Sequence, residues 1–248
     1  MTRLEIQTQA LAILQANLSG VDGGGVWGQT EILRYLTDSE MKLFVMIAAA
    51  HENFFRTTTT LSEVAGTATI NLPTNTYRLL RLERIVGFQS STTNPIPLIP
   101  VDRNDGAIDF ARGARYPFNF DGTTSYPQYY QMHGQKQIEL MPTPSLSATD
   151  SLRLSYIARP AAMAGDTHVP FQITAGTGGA GTDNLVEFHD ILVLAVVEKC
   201  FLKEESYAQA DRYKALRLER EAELMKYLTS TQVQVTRGIN VSHSEWDW

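Results

Sequence analysis

The hydrophobic period changes twice along this chain, from that of a helix to that of a strand and back, and this ordering constrains the fold more than any motif. Up to about Phe55 apolar residues recur at helical spacing, between Ala68 and Ile157 they alternate, and from Asn184 to about Leu228 the helical spacing returns. Helical ends around a strand-rich middle predict an α+β fold: an α-helical bundle, built from N-terminal helices and a long C-terminal helical hairpin, with an inserted antiparallel β-rich region and an extended tail. The expected limits are 1–60 and 184–229 for the helical domain, 61–183 for the insertion and 230–248 for the tail.

In the first segment Leu4, Leu11, Leu14 and Leu18 form one stripe of an amphipathic helix that ends at Ser19-Gly20, followed by the link Asp22-Gly23-Gly24-Gly25. Met41, Phe44, Val45, Ala48 and Phe55 then share a face, and Thr37 with Glu40 matches a capping box, so a helix break is expected there. The period changes after Thr57-Thr58-Thr59-Thr60. Leu80, Leu82, Val86 and Phe88, then Ile138 and Leu140, then Leu152, Leu154 and Tyr156 alternate with polar residues or glycine, as half-buried antiparallel strands do. His133-Gly134-Gln135-Lys136 reads as a hairpin turn and Asn104 to Thr124 as a long loop. Of the two helices expected after Asn184, divided near Glu205-Ser206, the first carries Leu185, Phe188, Leu192, Ala195 and Val196 and belongs at the centre of the core. The second is charged almost all round and leaves a narrow stripe, Ala208, Ala215, Leu218, Ala222 and Met225, to pack. Its charged face is either solvated or an inter-subunit surface.

Composition excludes several functions. With 248 residues, 43% hydrophobic and 19% charged, the chain can bury a core. A net charge of -6 without clustered Lys and Arg argues against a general nucleic-acid binder. The single Cys200 rules out an intramolecular disulfide and a Cys-rich metal site. The longest apolar run, Ile191 to Val197, falls far short of the roughly 20 residues that cross a bilayer, so no membrane association is expected. The polar residues Gln7 and Gln9 interrupt the opening stretch too early for a signal peptide, and synthesis in the cytoplasm is expected.

The residues that might carry chemistry point elsewhere. Gly176-Thr177-Gly178-Gly179-Ala180-Gly181 is a G-x-G-x-x-G run before a helix, but the βαβ unit such a fingerprint needs is missing from the pattern. It reads as a surface loop, with Asp183 or Asn184 as the following N-cap, and a dinucleotide-dependent oxidoreductase is only a remote alternative. In Asp102-Arg103-Asn104-Asp105-Gly106 the glycine comes one position early for a calcium loop. His51, His133, His168, His189 and His243 show no paired ligand spacing and read as surface or loop residues. Cys200, beside Phe201 and Leu202, reads as a buried structural thiol. No catalytic, cofactor-binding or metal-binding residue is nominated, and the chain is expected not to be an enzyme. Tyr116, Tyr126, Tyr129 and Tyr130 support an alternative, a glycan- or ligand-binding β-rich module. The interface candidates are in the last segment: Val233, Val235, Ile239 and Val241, then Trp246 and Trp248, apolar residues that need a surface to bury against.

Three stretches in this order carry a resemblance. Thr69-Ile70-Asn71-Leu72-Pro73 leads to Tyr77-Arg78-Leu79-Leu80-Arg81-Leu82; Tyr126-Pro127-Gln128-Tyr129-Tyr130 leads to Ile138-Glu139-Leu140-Met141-Pro142; and Leu152-Arg153-Leu154-Ser155-Tyr156-Ile157-Ala158-Arg159-Pro160 precedes the helical pair. Over roughly Thr30 to Thr229 the chain resembles the head-to-tail connector, or adaptor, proteins of tailed double-stranded DNA bacteriophages. The resemblance implies a virion protein that forms a homo-oligomeric ring, typically of twelve copies. Such a ring sits between the portal protein and the tail or next adaptor ring, around the channel through which genomic DNA passes without being gripped.

Overall fold

The computed structural model describes residues 1–14, 27–51, 54–86, 90–101, 126–163, 165–172 and 183–237, with side chains for those up to residue 230 other than 183 and 184. The fold is mixed α+β, with four helices and two sheets among the described residues. The chain divides into two compact units, Met1–Phe55 with Pro160–Trp248, and Arg56–Arg159.

In the first unit α1 (Arg3–Ile13) starts at Thr2, whose hydroxyl accepts from the Glu5 amide while the Glu5 carboxylate accepts from the Thr2 amide, a reciprocal cap. The buried face is Arg3, Ile6, Gln7, Ala10 and Leu11. Leu4 stays exposed, so the predicted leucine stripe is displaced by about a residue, and Leu18 is outside the described residues. Arg3 is on the inner face because its guanidinium reaches Asp166 and the Met163 carbonyl.

Helix α2 (Gln29–Ala50) runs unbroken through the expected capping box. The Thr37 hydroxyl donates to the Leu33 carbonyl at 2.9 Å, four residues back, so it decorates the helix and does not start one. Glu40 points into the protein. The core face is Ile32, Leu36, Leu43, Phe44, Ile47 and Ala48, whereas Met41 and Val45 are exposed.

A 3-10 turn, Asp183–Phe188, precedes α3 (Asp190–Lys203), so the α-helix starts later than Asn184. Ile191, Leu192, Val193, Ala195, Val196, Val197 and Cys200 are all buried, because α3 packs against α1, α2 and the last helix, α4 (Tyr207–Arg237). The two are separated at Glu204 to Ser206, where Glu205 has φ +58°.

Two expectations about α4 fail. It continues through Arg237, so the extended tail does not begin at 230, and Val233 and Val235 belong to a helix despite their period-two spacing. Its inward face is Ala210, Leu224 and Leu228 with half-buried Tyr213, Arg217 and Arg220, while Ala208, Ala215, Leu218 and Ala222 face outward. Arg217 bridges to Glu198 of α3 at 2.7 Å, and Arg220 to Asp190 at 2.7 Å. These cross-helix pairs hold charged residues on the packing face, away from the positions where an apolar stripe was sought.

The second unit contains β1 (Arg56–Glu63), β2 (Thr69–Asn71), β3 (Thr76–Arg84), β4 (Ile96–Pro97), β5 (Ile99–Pro100), β6 (Tyr129–His133), β7 (Gln137–Met141) and β8 (Ala148–Ala158). One sheet has the order β1-β8-β3-β4 and the other β2-β7-β6-β5. The turn after His133 does join an antiparallel pair, His133 opposite Gln137 with Gly134 at φ +62°. One pairing departs from the antiparallel expectation: β5 runs parallel to β6, with Ile99 opposite Tyr129.

The unit boundaries differ from 60/61 and 183/184. Thr57 to Thr60 is itself strand β1, paired with Ser155 and its neighbours on β8, because β-branched threonine suits a pleated edge. Residues 160–172 belong with the helices: the His168 carbonyl accepts from the Arg3 amide at 2.7 Å, and the Phe171 amide donates to Glu40 at 2.7 Å.

Candidate interaction surface

The buried polar groups of the helical unit are the first place to look for chemistry. Cys200 is fully buried, and burial pushes its thiol up to about 12, the reverse of what a nucleophile needs. His189 and His168 are buried, contrary to the surface positions expected for them. Burial, reinforced by the Met1 ammonium 3.0 Å from Nδ1, depresses His189 to about 4, so its ring is neutral. Glu40 is raised to about 7 by burial, opposed only by the hydrogen bond from the Phe171 amide. Phe171, at φ +64° and 1% exposed, stands between the two, its ring 6.2 Å from that of His189.

These two groups drive stability in opposite directions with pH. Glu40, with a folded value above its unfolded one, contributes most below about 4.5 and loses that contribution as pH rises to about 7. His189, with a depressed folded value, contributes fully above 6.5 and loses it as pH falls towards 4. Over the shared window the slopes oppose each other, so removing one exposes the other. Glu40→Gln is expected to match the parent near pH 4.5 and to exceed it at pH 7.5 by up to about 3 kcal/mol, since one pKa unit corresponds to about 1.4 kcal/mol. Urea unfolding of both proteins at the two pH values checks this.

Among the described residues no group of three or more His, Cys, Asp or Glu is placed to hold a metal ion, and the glycine run 176–181 and the Asp102 to Gly106 segment are outside them. Among the described residues the tyrosines do not converge into an open site. Tyr130 is buried, Tyr126 carries the Arg84 guanidinium 4.8 Å from its ring centroid, Tyr129 is half-buried on β6, and Tyr116 is not described. No helix among the described residues is long and apolar enough to cross a membrane.

The helical unit also exposes helix surface. Along the outer side of α4, Ala208, Ala215 and Ala222 recur every seven residues with Leu218, 49% exposed, between the last two. Asp211, Arg212, Lys214, Glu219 and Lys226 flank this line, all exposed and without an ion pair among the described residues, so mixed charges border a shallow apolar seam. Sequence reasoning found these residues but assigned them to the inside.

On another side of the same unit α2, α3 and α4 enclose a groove of about 370 Å³. Leu43, Ile191, Leu192 and Ala195 form its floor, and Lys42, Lys199, Glu198, Arg217 and Glu221 its rim. Arg217 is matched by Glu198 and Glu221, and Lys199 lies 3.9 Å from the exposed Asp38, but Lys42 has no acidic partner among the described residues. Burial lowers the Lys199 ammonium, and the Lys42 charge lowers it further. This groove had no signature in the sequence, because its lining comes from three helices. Of the interface candidates, Val233 and Val235 are on the last turns of α4, and Ile239, Val241, Trp246 and Trp248 lie outside the described residues.

A search of curated proteins found no match. The family model described as SU10 adaptor protein matches residues 1–240, nearly the whole chain and both of its units. A family match of this extent agrees with the resemblance read from the three strand-forming stretches. The chain belongs to the SU10 adaptor protein family and is a structural adaptor of a phage virion.

Proposed function

We propose that the chain joins head to tail by forming a closed ring of like copies, a dodecamer by the habit of adaptors, between the portal and the tail or the next adaptor ring. In this reading the four helices act as one bundle that forms the ring wall, and the outer seam of α4 packs against the neighbouring copy. The observation that carries it is that seam: small residues at seven-residue intervals let a second helix approach closely, and unpaired charges of both signs at its edges complement a like surface. A net charge of -6 suits a channel that lets DNA pass without holding it. Val233 and Val235 on the last turns of α4, with Ile239, Val241, Trp246 and Trp248 after them, supply further contacts to a neighbour or partner ring. With Cys200 and Glu40 sequestered, this mechanism is geometric and not catalytic. The glycan-binding reading gains no support, since Tyr130 and Tyr126 are taken up by packing.

Native mass spectrometry and sedimentation velocity of the full chain, alone and with the portal protein, test this. The expected result is a ring of about a dozen copies, alone or on the portal, that Leu218→Glu abolishes while leaving circular dichroism unchanged. A parent chain that stays monomeric with the portal, or a Leu218→Glu variant that assembles as the parent does, overturns the assignment.

A further inference from the structure

The groove between α2, α3 and α4 is unconnected with the α4 seam, and it combines three features that define its occupant. Its floor of Leu43, Ile191, Leu192 and Ala195 is apolar, so it takes an apolar group. Its volume of about 370 Å³ is at the small end of the range in which proteins hold ligand-sized groups. Its rim carries two neighbouring cations: Lys42 on α2, without an ion pair among the described residues, and Lys199 on α3, which donates to the Tyr35 carbonyl at 3.2 Å, has the exposed Asp38 3.9 Å away and is disfavoured by the Lys42 charge. An anion placed between the two lysines relieves that repulsion.

One segment of the chain outside the described residues has the complementary chemistry. Residues 238–248 end in Glu245-Trp246-Asp247-Trp248, two indoles alternating with two carboxylates, after the apolar Ile239 and Val241. Large flat side chains would cover the floor while the carboxylates meet the lysines. We infer that the groove binds the acidic, tryptophan-bearing segment 239–248 of a second copy of this chain.

The direction of α4 favours a second copy over the chain's own segment. The groove is lined on α4 by Arg217 and Glu221, and α4 continues to Arg237, about 24 Å further along its axis at 1.5 Å per residue. From Arg237 to Trp246 is nine residues, at most about 30 Å fully extended. Returning to its own groove therefore requires a reversal and almost complete extension, whereas a neighbouring copy can present its groove where the helix ends. The partner chosen here deepens the ring reading, since it links each copy to the next, but binding itself does not depend on ring formation.

The test uses the full-length chain carrying Trp246→Ala and Trp248→Ala, so that its own segment cannot compete, and a fluorescein-labelled peptide of residues 238–248 followed by anisotropy. Saturable binding is expected, weakened about tenfold or more by Lys42→Glu and recovered when the peptide carries lysine in place of Glu245 and Asp247. The Leu218→Glu chain, with its own tryptophans intact and at a concentration where it sediments as a monomer, should bind the peptide as well as the tryptophan-free chain does. No saturable binding, or binding indifferent to Lys42→Glu, overturns the assignment of the groove. Much weaker binding to the Leu218→Glu monomer means that the chain's own segment fills the groove and overturns the second-copy reading. Peptide binding that behaves as expected while no ring forms would leave this inference standing and remove the ring.

Discussion

Arg84→Met is expected to lower the stability of the strand-rich unit by about 3–5 kcal/mol, the range in which breaking a buried ion pair falls. Arg84 and Glu63 meet at 2.8 Å with side chains only 4% and 3% exposed. The pair joins the end of β3 to the end of β1, although β8 lies between those strands. The same guanidinium donates to the Pro127 carbonyl at 3.2 Å and covers the Tyr126 ring, so it also fixes where the chain enters β6. Burial lowers the Arg84 value and Glu63 opposes that shift, which shows how far the charge depends on its partner. Methionine leaves the Glu63 carboxylate buried without its cation, and that penalty, more than the lost attraction, sets the size of the effect. The double variant Arg84→Met with Glu63→Leu should recover most of the loss, because no lone charge is then left inside. Urea unfolding followed on the β signal decides it: a single variant within about 1 kcal/mol of the parent would mean that water reaches the site.

Phe55→Ala is expected to cost the helical unit about 3–5 kcal/mol, the usual range for deleting a buried aromatic ring. Phe55 is 1% exposed and is the last residue of the unit before the chain leaves for β1. Its ring centroid lies 4.9 Å from that of Phe44 on α2, 5.1 Å from Phe54 and 6.2 Å from Phe171 on the returning segment. The ring thus holds the outgoing strand of chain, α2 and the segment that comes back from the strand-rich unit in one cluster. Alanine opens a cavity that backbone on both sides keeps from collapsing, whereas Phe55→Leu retains most of the volume and should cost markedly less. Thermal unfolding monitored on the helical signal checks both. A small loss for alanine would mean that the cluster repacks and that the root of the excursion is not fixed by it.

Both sites were partly visible before the structure. Phe55 was placed on a core face by its spacing from Phe44, and the strand carrying Arg84 was recognised from the alternation around Leu82. Nothing in the sequence paired Arg84 with Glu63, because their contact depends on register in a sheet whose first strand, Arg56–Glu63, has Leu61 as its one apolar residue and so shows no period. The inward face of α4 was misread for a related reason. Hydrophobic periodicity finds a packing face by counting apolar residues, and here Arg217 and Arg220 occupy that face, satisfied by Glu198 and Asp190 across the helix pair. The outward alanines and Leu218 were then the only stripe left to find.

By itself the sequence determined the order of elements, the central place of the helix around Leu192 and Val196, and the turn at His133 to Lys136. Those follow from local periodicity and turn chemistry, which act within a few residues of one another. Only the tertiary structure decided which side of α4 faces in, that α2 runs unbroken, that residues 160–172 belong with the helices and that three helices leave a groove between them. Each of those is fixed by partners more than a hundred residues apart, or on different helices, such as Glu40 with Phe171 and Arg3 with Asp166. A polar residue can face inward only when such a partner meets it there, and no spacing along the chain records that meeting.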